Sequence, residues 1–201
     1  QENIAEKFHD KLRLRMSKLR LGNPMDKAID MGAIVDESQL AMIAKMCKEA
    51  EAEGLEMWQA DNPLPQEGLF FPPTLFSNVA PSSTIAQEEV FGPVLVSLTF
   101  RSPSEAIALA NNTRYGLAGS VWSQDIDTAL EVARSIKAGT IWVNCTNQFD
   151  ANSGFGGYRE SGFGREGGIE GLWAYMRSKP SSNEKSQREY MIHKSQSQVQ
   201  T

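Results

Sequence analysis

The 201 residues carry 20 Lys plus Arg against 25 Asp plus Glu, a net charge of −5, with 40% hydrophobic and 22% charged residues. This is an ordinary globular composition at about the length of one domain, and the acidic balance argues against nucleic acid, whose binding is dominated by phosphate neutralisation. The two cysteines, Cys47 and Cys145, make no disulfide framework, no Cys/His cluster suggests a metal, and no apolar run approaches the ~20 residues of a membrane span. A reducing compartment, the cytoplasm, fits this usage. The chain begins with Gln inside a helical pattern, so it reads as truncated at its N-terminus, and the lack of a leader says nothing about the parent.

In chain order, Ile4, Phe8, Leu12, Met16 and Leu19 recur at helical intervals and predict an amphipathic helix over residues 2–20, its basic residues forming the solvated face. Gly22-Asn23-Pro24 is a turn. Asp36 and Gln39 have capping-box spacing ahead of Leu40, Ile43, Ala44 and Cys47, so a second helix runs to about Glu53 and stops at Gly54. Residues 55–60 predict a short strand and 61–68 a loop. The prolines within 70–76 impose extended backbone. Residues 77–93 read as mostly irregular, and 94–100 as a strand by β-branched and aromatic content. Ser102, Pro103 and Glu105 open a helix ending at Asn111 or Asn112.

A strand at 117–122 follows, then a helix at 126–137 with Ile126, Leu130, Ala133 and Ile136 facing inward. Beyond Gly139, residues 140–145 form an apolar strand of the kind buried on both faces. Strand, helix, strand, helix, strand predicts an α/β layer of parallel strands with flanking helices. A short helix is expected at 169–176. Residues 178–201 are Ser-, Gln-, Lys- and Glu-rich and predict a disordered polar tail, leaving 1–177 as the folded unit.

Several residues invite a chemical reading. His9 and His193 stand alone and read as surface histidines. Cys47 falls on the apolar side of its helix, as a small buried hydrophobe does. Cys145 ends a strand beside a glycine-rich loop, where open α/β sheets collect active sites. Its neighbours supply no cation to lower a thiol pKa, and structural and nucleophilic roles both stay open. Glycine takes seven of the fifteen positions 154–168, against 16 in the whole chain. Gly162, Gly164 and Gly167 there spell G-x-G-x-x-G, but no strand directly precedes them and no long helix follows, so a dinucleotide phosphate loop is not supported. Glu88 and Glu89, before Val-Phe-Gly-Pro, read either as a solvated acidic pair or as a carboxylate accepting hydrogen bonds from ligand hydroxyls with Phe91 stacking beside it.

Four segments acquire a joint meaning: EEVFGPV at 88–94, NNTRYGLA at 111–118, GTIWVN at 139–144 and FGGYRESG at 155–162. In order and approximate spacing they resemble the aldehyde dehydrogenase superfamily, over about residues 1–177. RMSKLR at 15–20 and DMGA at 30–33 look most like its family 16. The resemblance implies oxidation of an aldehyde to a carboxylic acid: a cysteine attacks the carbonyl, NAD or NADP takes hydride, and a glutamate-activated water hydrolyses the thioester. It implies that Glu89 holds the nicotinamide ribose hydroxyls, that Phe91 packs near the nicotinamide, and that Phe149 and Phe155 line the aldehyde tunnel. Cys145 matches a residue other than the nucleophile. In such proteins the nucleophile, general base, oxyanion asparagine and Rossmann part lie upstream, so no catalytic residue and no metal site is assigned to this chain.

Departures from the pattern are Ile34, where many members have a glutamine near the cofactor, and Gly154 in place of a common proline. The polar tail also stands where a final strand usually pairs with a neighbouring subunit, so both a homo-oligomer and a protein partner stay open. The expected identity is therefore the C-terminal portion of an aldehyde dehydrogenase catalytic domain, inactive alone. A pseudoenzyme or interaction scaffold of the family 16 type is the alternative, and a free-standing nucleotide-binding module a third.

Overall fold

The computed structural model describes residues 1–177 and Lys179. The tail expected at 178–201, with His193, lies outside the described residues apart from Lys179. After a short 3-10 turn, helix α1 spans Ala5–Met16 and helix α2 Glu37–Ala52. Strands β1 (Glu56–Gln59), β2 (Thr74–Ser77) and β3 (Val94–Val96) follow, with the one-turn helix α3 (Thr84–Gln87) between the last two. Then come α4 (Pro103–Asn111), β4 (Ala118–Val121), α5 (Ile126–Ser135), β5 (Thr140–Val143) and α6 (Gly168–Trp173).

The strands form two sheets. In the first, β2 pairs antiparallel with β1 and parallel with β3. In the second, β4 and β5 pair parallel, Ser120 opposite Trp142. The layer is mixed α/β, as expected, but it is divided into two sheets where one parallel run was predicted. Of the strand expected at 94–100, Val94–Val96 pair with β2 and Ser97 still donates its N–H to the Phe76 carbonyl, and β4 finds its partner in β5.

Side-chain alternation explains how the first sheet is covered. Phe76 and Val96 share one face and pack with Val79, Ile85 and Val90 beneath Ile43, Cys47 and Ala50 of α2. This is the main core. Glu56, Ser77 and Ser97 point the other way, toward α1, where Arg13 reaches Glu56 and His9 Nε2 lies 2.8 Å from Ser97 Oγ. His9 is fully buried, contrary to the surface role expected for it. Helix α1 docks through His9 and Met16, leaving Ile4 and Phe8 more than half exposed. The inward face therefore keeps Met16 of the apolar stripe, with Leu12 half-buried, but takes His9 in place of Phe8, because docking on the sheet, not the stripe alone, sets which side is covered.

Helix α2 begins and ends as its caps dictate. Asp36 accepts from the Gln39 N–H, and Gly54 follows the helix with φ 86°. The Ser38 hydroxyl, then the Gln39 N–H, hold the Asp36 carboxyl below its ordinary range. Ser102 caps α4 by accepting from the Glu105 N–H. Helix α5 corrects a further expectation: Ala129 is its fully buried residue, whereas Ile126 and Leu130 are exposed. A small side chain lets the helix lie close over β4 and β5; Ile126 and Leu130 turn outward, while Ala133 and Ile136 are half-buried. Strand β5 is half-buried along its length, not buried on both faces, since β4 is its single paired neighbour among the described residues.

Candidate functional site

The glycine-rich stretch shows why it needs so few side chains. It folds back on itself through a two-way backbone pairing of Phe155 with Glu166, at 2.7 and 2.8 Å. Gly139, at the start of β5, lies directly under the carbonyl of Gly156, and a Cβ at either glycine would run into backbone. Tyr158 N–H donates to the Gly116 carbonyl (2.9 Å), and Gly116 N–H donates to Ser161 Oγ (3.1 Å). Two arginines staple the loop. Arg165 Nη1 donates to the Gly157 carbonyl at 2.7 Å, and Arg159 Nη1 donates to the carbonyls of Asn111 and Thr113. Gly156, Gly167 and Gly168 therefore serve close backbone approach, whereas Gly162 takes a left-handed φ of 88° in open space. Gly167 precedes a helix of six residues, in keeping with the sequence argument against a phosphate loop.

This packing brings three aromatic rings together. Phe149 and Phe155 meet edge to face with centroids 5.0 Å apart, Trp142 meets Phe149 edge-on at 5.6 Å, and Trp142 stacks with Phe155 at 6.3 Å. Trp142 is held by donating its indole N–H to the Gln148 carbonyl at 3.0 Å. Phe149 is 65% exposed, so the cluster presents an open apolar face. Phe149 and Phe155 were legible from the family resemblance; the part played by Trp142 was not. Its signal was its place on β5, immediately before the loop that carries Phe149.

The second feature is an open groove of about 1100 Å³ between the 86–91 segment, α4, β4 and α5. Glu88, Glu89 and Phe91 stand on its edge, with Leu109, Val121 and Val132 among its apolar lining. The two carboxylates have different fates. Glu88 is tied to the Arg114 guanidinium, which also contacts Glu160 at 3.4 Å and the Tyr115 hydroxyl at 2.8 Å. Among the described residues Glu89 has no hydrogen-bond or ion-pair partner, and Phe91 is 70% exposed beside it. The structure thus places Glu89 with Phe91 on the groove, and Phe149 with Phe155 in the aromatic cluster. Those two aromatics do not line the groove.

Of the cysteines, Cys47 sits in the core, where burial pushes its thiol up to about 11 and leaves it protonated. Cys145 is free and half-buried at the end of β5. Among the described residues no group of three His, Cys, Asp or Glu side chains could hold a metal, and no helix is long and apolar enough to cross a membrane. Ile34, noted as a departure, packs at the edge of the core and donates its N–H to the Leu69 carbonyl.

Two small sheets with flanking helices, a groove edged by an unpaired carboxylate and an exposed cluster of three aromatic rings describe a segment of a mixed α/β fold. The chain belongs to the aldehyde dehydrogenase family, whose sequence model matches residues 1–180. It is 39% identical over 179 residues to the mitochondrial aldehyde dehydrogenase of Mesocricetus auratus, matching 89% of this chain and 36% of that protein. It is 42% identical over 178 residues to an aldehyde dehydrogenase of Enchytraeus buchholzi, again 89% of this chain and 36% of the relative. Among solved structures, a betaine aldehyde dehydrogenase from Staphylococcus aureus in complex with NAD+ superposes with a TM-score of 0.83 at 42% identity, over 89% of this chain and 36% of that one. The chain thus spans about one third of the length of the relatives it matches.

Proposed function

We propose that these residues form the C-terminal portion of the catalytic domain of an NAD(P)-dependent aldehyde dehydrogenase, which oxidises an aldehyde to a carboxylic acid. The observation that carries this is the contrast between adjacent carboxylates. Glu88 is neutralised by Arg114, whereas Glu89 keeps its acceptor positions open on the groove edge beside an exposed ring. An ionised carboxylate accepts two hydroxyl hydrogen bonds at once, which suits a ribose diol, and Phe91 offers a face or edge to a flat ring. The NAD+ complex of the Staphylococcus aureus neighbour supports a cofactor of this type. The cofactor would supply the hydride acceptor; the residues of this chain bind and orient it. The open apolar face of Trp142, Phe149 and Phe155 suits the apolar body of an aldehyde.

By the family resemblance, the nucleophile, general base and Rossmann part belong to other stretches of the parent protein. Catalytic groups act as a unit, so the 201 residues alone are expected to be inactive. We place the parent in a reducing compartment, the cytoplasm, on the evidence of two free cysteines.

The test is steady-state reduction of NAD and of NADP with an aldehyde by the full-length protein. Glu89→Gln is expected to lower kcat/KM by roughly ten- to a hundredfold, through the cofactor KM, as loss of charged hydrogen bonds does. Turnover by the 201 residues alone, abolished by Cys145→Ser, would overturn the assignment of the nucleophile to another stretch.

A second reading, a family 16 scaffold that lacks the nucleophile and acts through protein partners, draws on the 15–20 and 30–33 segments. These fold onto one another, Asp30 Oδ2 accepting from Arg20 Nε at 2.9 Å and Leu21 bridging Met31. A cysteine in the nucleophile loop of the full-length protein favours the enzyme, and its absence favours the scaffold.

A further inference from the structure

The turn that presents Glu89 and Phe91 has a backbone its own residues disfavour. Phe91 adopts φ 54°, in the left-handed region that a bulky side chain rarely enters, with its ring out on the groove edge. Such a conformation persists only where the surroundings over-determine it. Here the surroundings are helix α2. Gln39 Nε2 donates to the carbonyls of both Val90 and Phe91, each at 3.1 Å. Val90 is buried in the core under α2, and Gly92 lies close over Ile43.

Gln39 is itself well anchored. Its backbone N–H donates to Asp36 Oδ1 at 2.8 Å at the start of the helix. In a complete capping box its side chain would turn back to the capping residue. It crosses instead to a segment some fifty residues further along the chain.

We propose that Gln39 is a positioning residue for the cofactor site, acting through the left-handed turn at Phe91. The proposal rests on the functional reading given above. One amide group gathers two successive carbonyls toward α2, and the chain can satisfy both only by turning over at Phe91. That turn puts the ring and the neighbouring Glu89 carboxylate on the same groove. Without the donor, Phe91 returns to negative φ, and ring and carboxylate no longer share one edge.

The test uses the full-length protein, with cofactor dissociation constants from fluorescence titration with NADH and NADPH and separate KM values for cofactor and aldehyde. Gln39→Met keeps the side-chain length without a donor, and Gln39→Glu keeps the shape as an acceptor. Both are expected to raise the cofactor Kd about tenfold, the loss of two hydrogen bonds, with the aldehyde KM within about twofold of wild type. In a Phe91→Gly background the backbone needs no clamp, so the same Gln39 substitutions are expected to add less than about twofold, because residues acting through one another are not additive. If Gln39→Met does not fold, the cycle with Gln39→Glu gives the same answer. A Kd unchanged by the Gln39 substitutions, or the same tenfold loss in the Phe91→Gly background, overturns the positioning role alone. A wild-type protein that binds neither cofactor overturns the functional reading and this role with it.

Discussion

Arg114 donates to the carboxylate of Glu88, one residue before the unpaired Glu89, and the same guanidinium contacts Glu160 of the glycine-rich stretch. One side chain therefore ties the groove edge to the loop that carries Phe155. Its charge is partly solvated, and exposed ion pairs are individually weak, although a network is worth more than an isolated pair. Arg114→Ala in the full-length protein is expected to raise the cofactor Kd about two- to fivefold, with Arg114→Lys in between. Titration at low and at high salt checks the origin: the difference should shrink as salt screens the pair. A difference insensitive to salt would assign the effect to packing of Arg114 over the Tyr115 ring, 5.1 Å away.

Gly139→Ala is expected to disrupt the site from beneath. The added methyl has to displace the Gly156 backbone, which no side-chain rotation can relieve. Overpacking of this kind costs about 2–3 kcal/mol, which for a chain of this size lowers Tm by roughly 5–10 °C. Thermal unfolding of Gly139→Ala against wild type measures it. Loss of Trp142–Phe155 stacking should accompany the change, because Phe155 and Gly156 are consecutive.

The Arg20–Asp30 pair yields a pH window. Arg20 donates to Asp30 through its backbone N–H and both sides of its guanidinium, and the side-chain hydrogen bonds, chiefly, hold the carboxyl down to about 2 from 3.8. A carboxyl whose folded pKa is depressed binds fewer protons when folded, so its contribution is complete above the unfolded value and is lost as pH falls toward the folded one. Asp30→Asn is therefore expected to lower Tm at pH 7, with the difference from wild type closing between about pH 4 and pH 2. An undiminished difference at pH 2 would show that Asp30 acts through something other than its charge.

Local chemistry was the legible part. Asp36 and Gly54 bound α2, and Ser102 and Pro103 start α4, because caps and proline act within a turn of themselves. The density of glycine at 154–168 pointed to close backbone approach, and the carbonyl of Gly156 over Gly139 is what it met. Among the described residues no strand directly precedes Gly162 and no long helix follows Gly167, as a phosphate loop would require.

What could not be read locally was which side of each element faces inward. His9 and Phe8 differ by one step of a helix, about 100° of rotation, and which is buried depends on where Ser97 arrives from almost ninety residues away. The same holds for Ala129 against Leu130 on α5. By itself, then, the sequence determined the order of the longer helices and the capped starts of α2 and α4, the α/β character and, through four spaced motifs, the family and its candidate residues Glu89, Phe91, Phe149 and Phe155. Only the tertiary structure decided that Glu88 is ion-paired while Glu89 is not, that Trp142 stacks with Phe155, and that Gln39 bonds the carbonyls of Val90 and Phe91. Each of these is a contact between residues far apart in the chain, and the packing of whole elements, not any local preference, brings such pairs together.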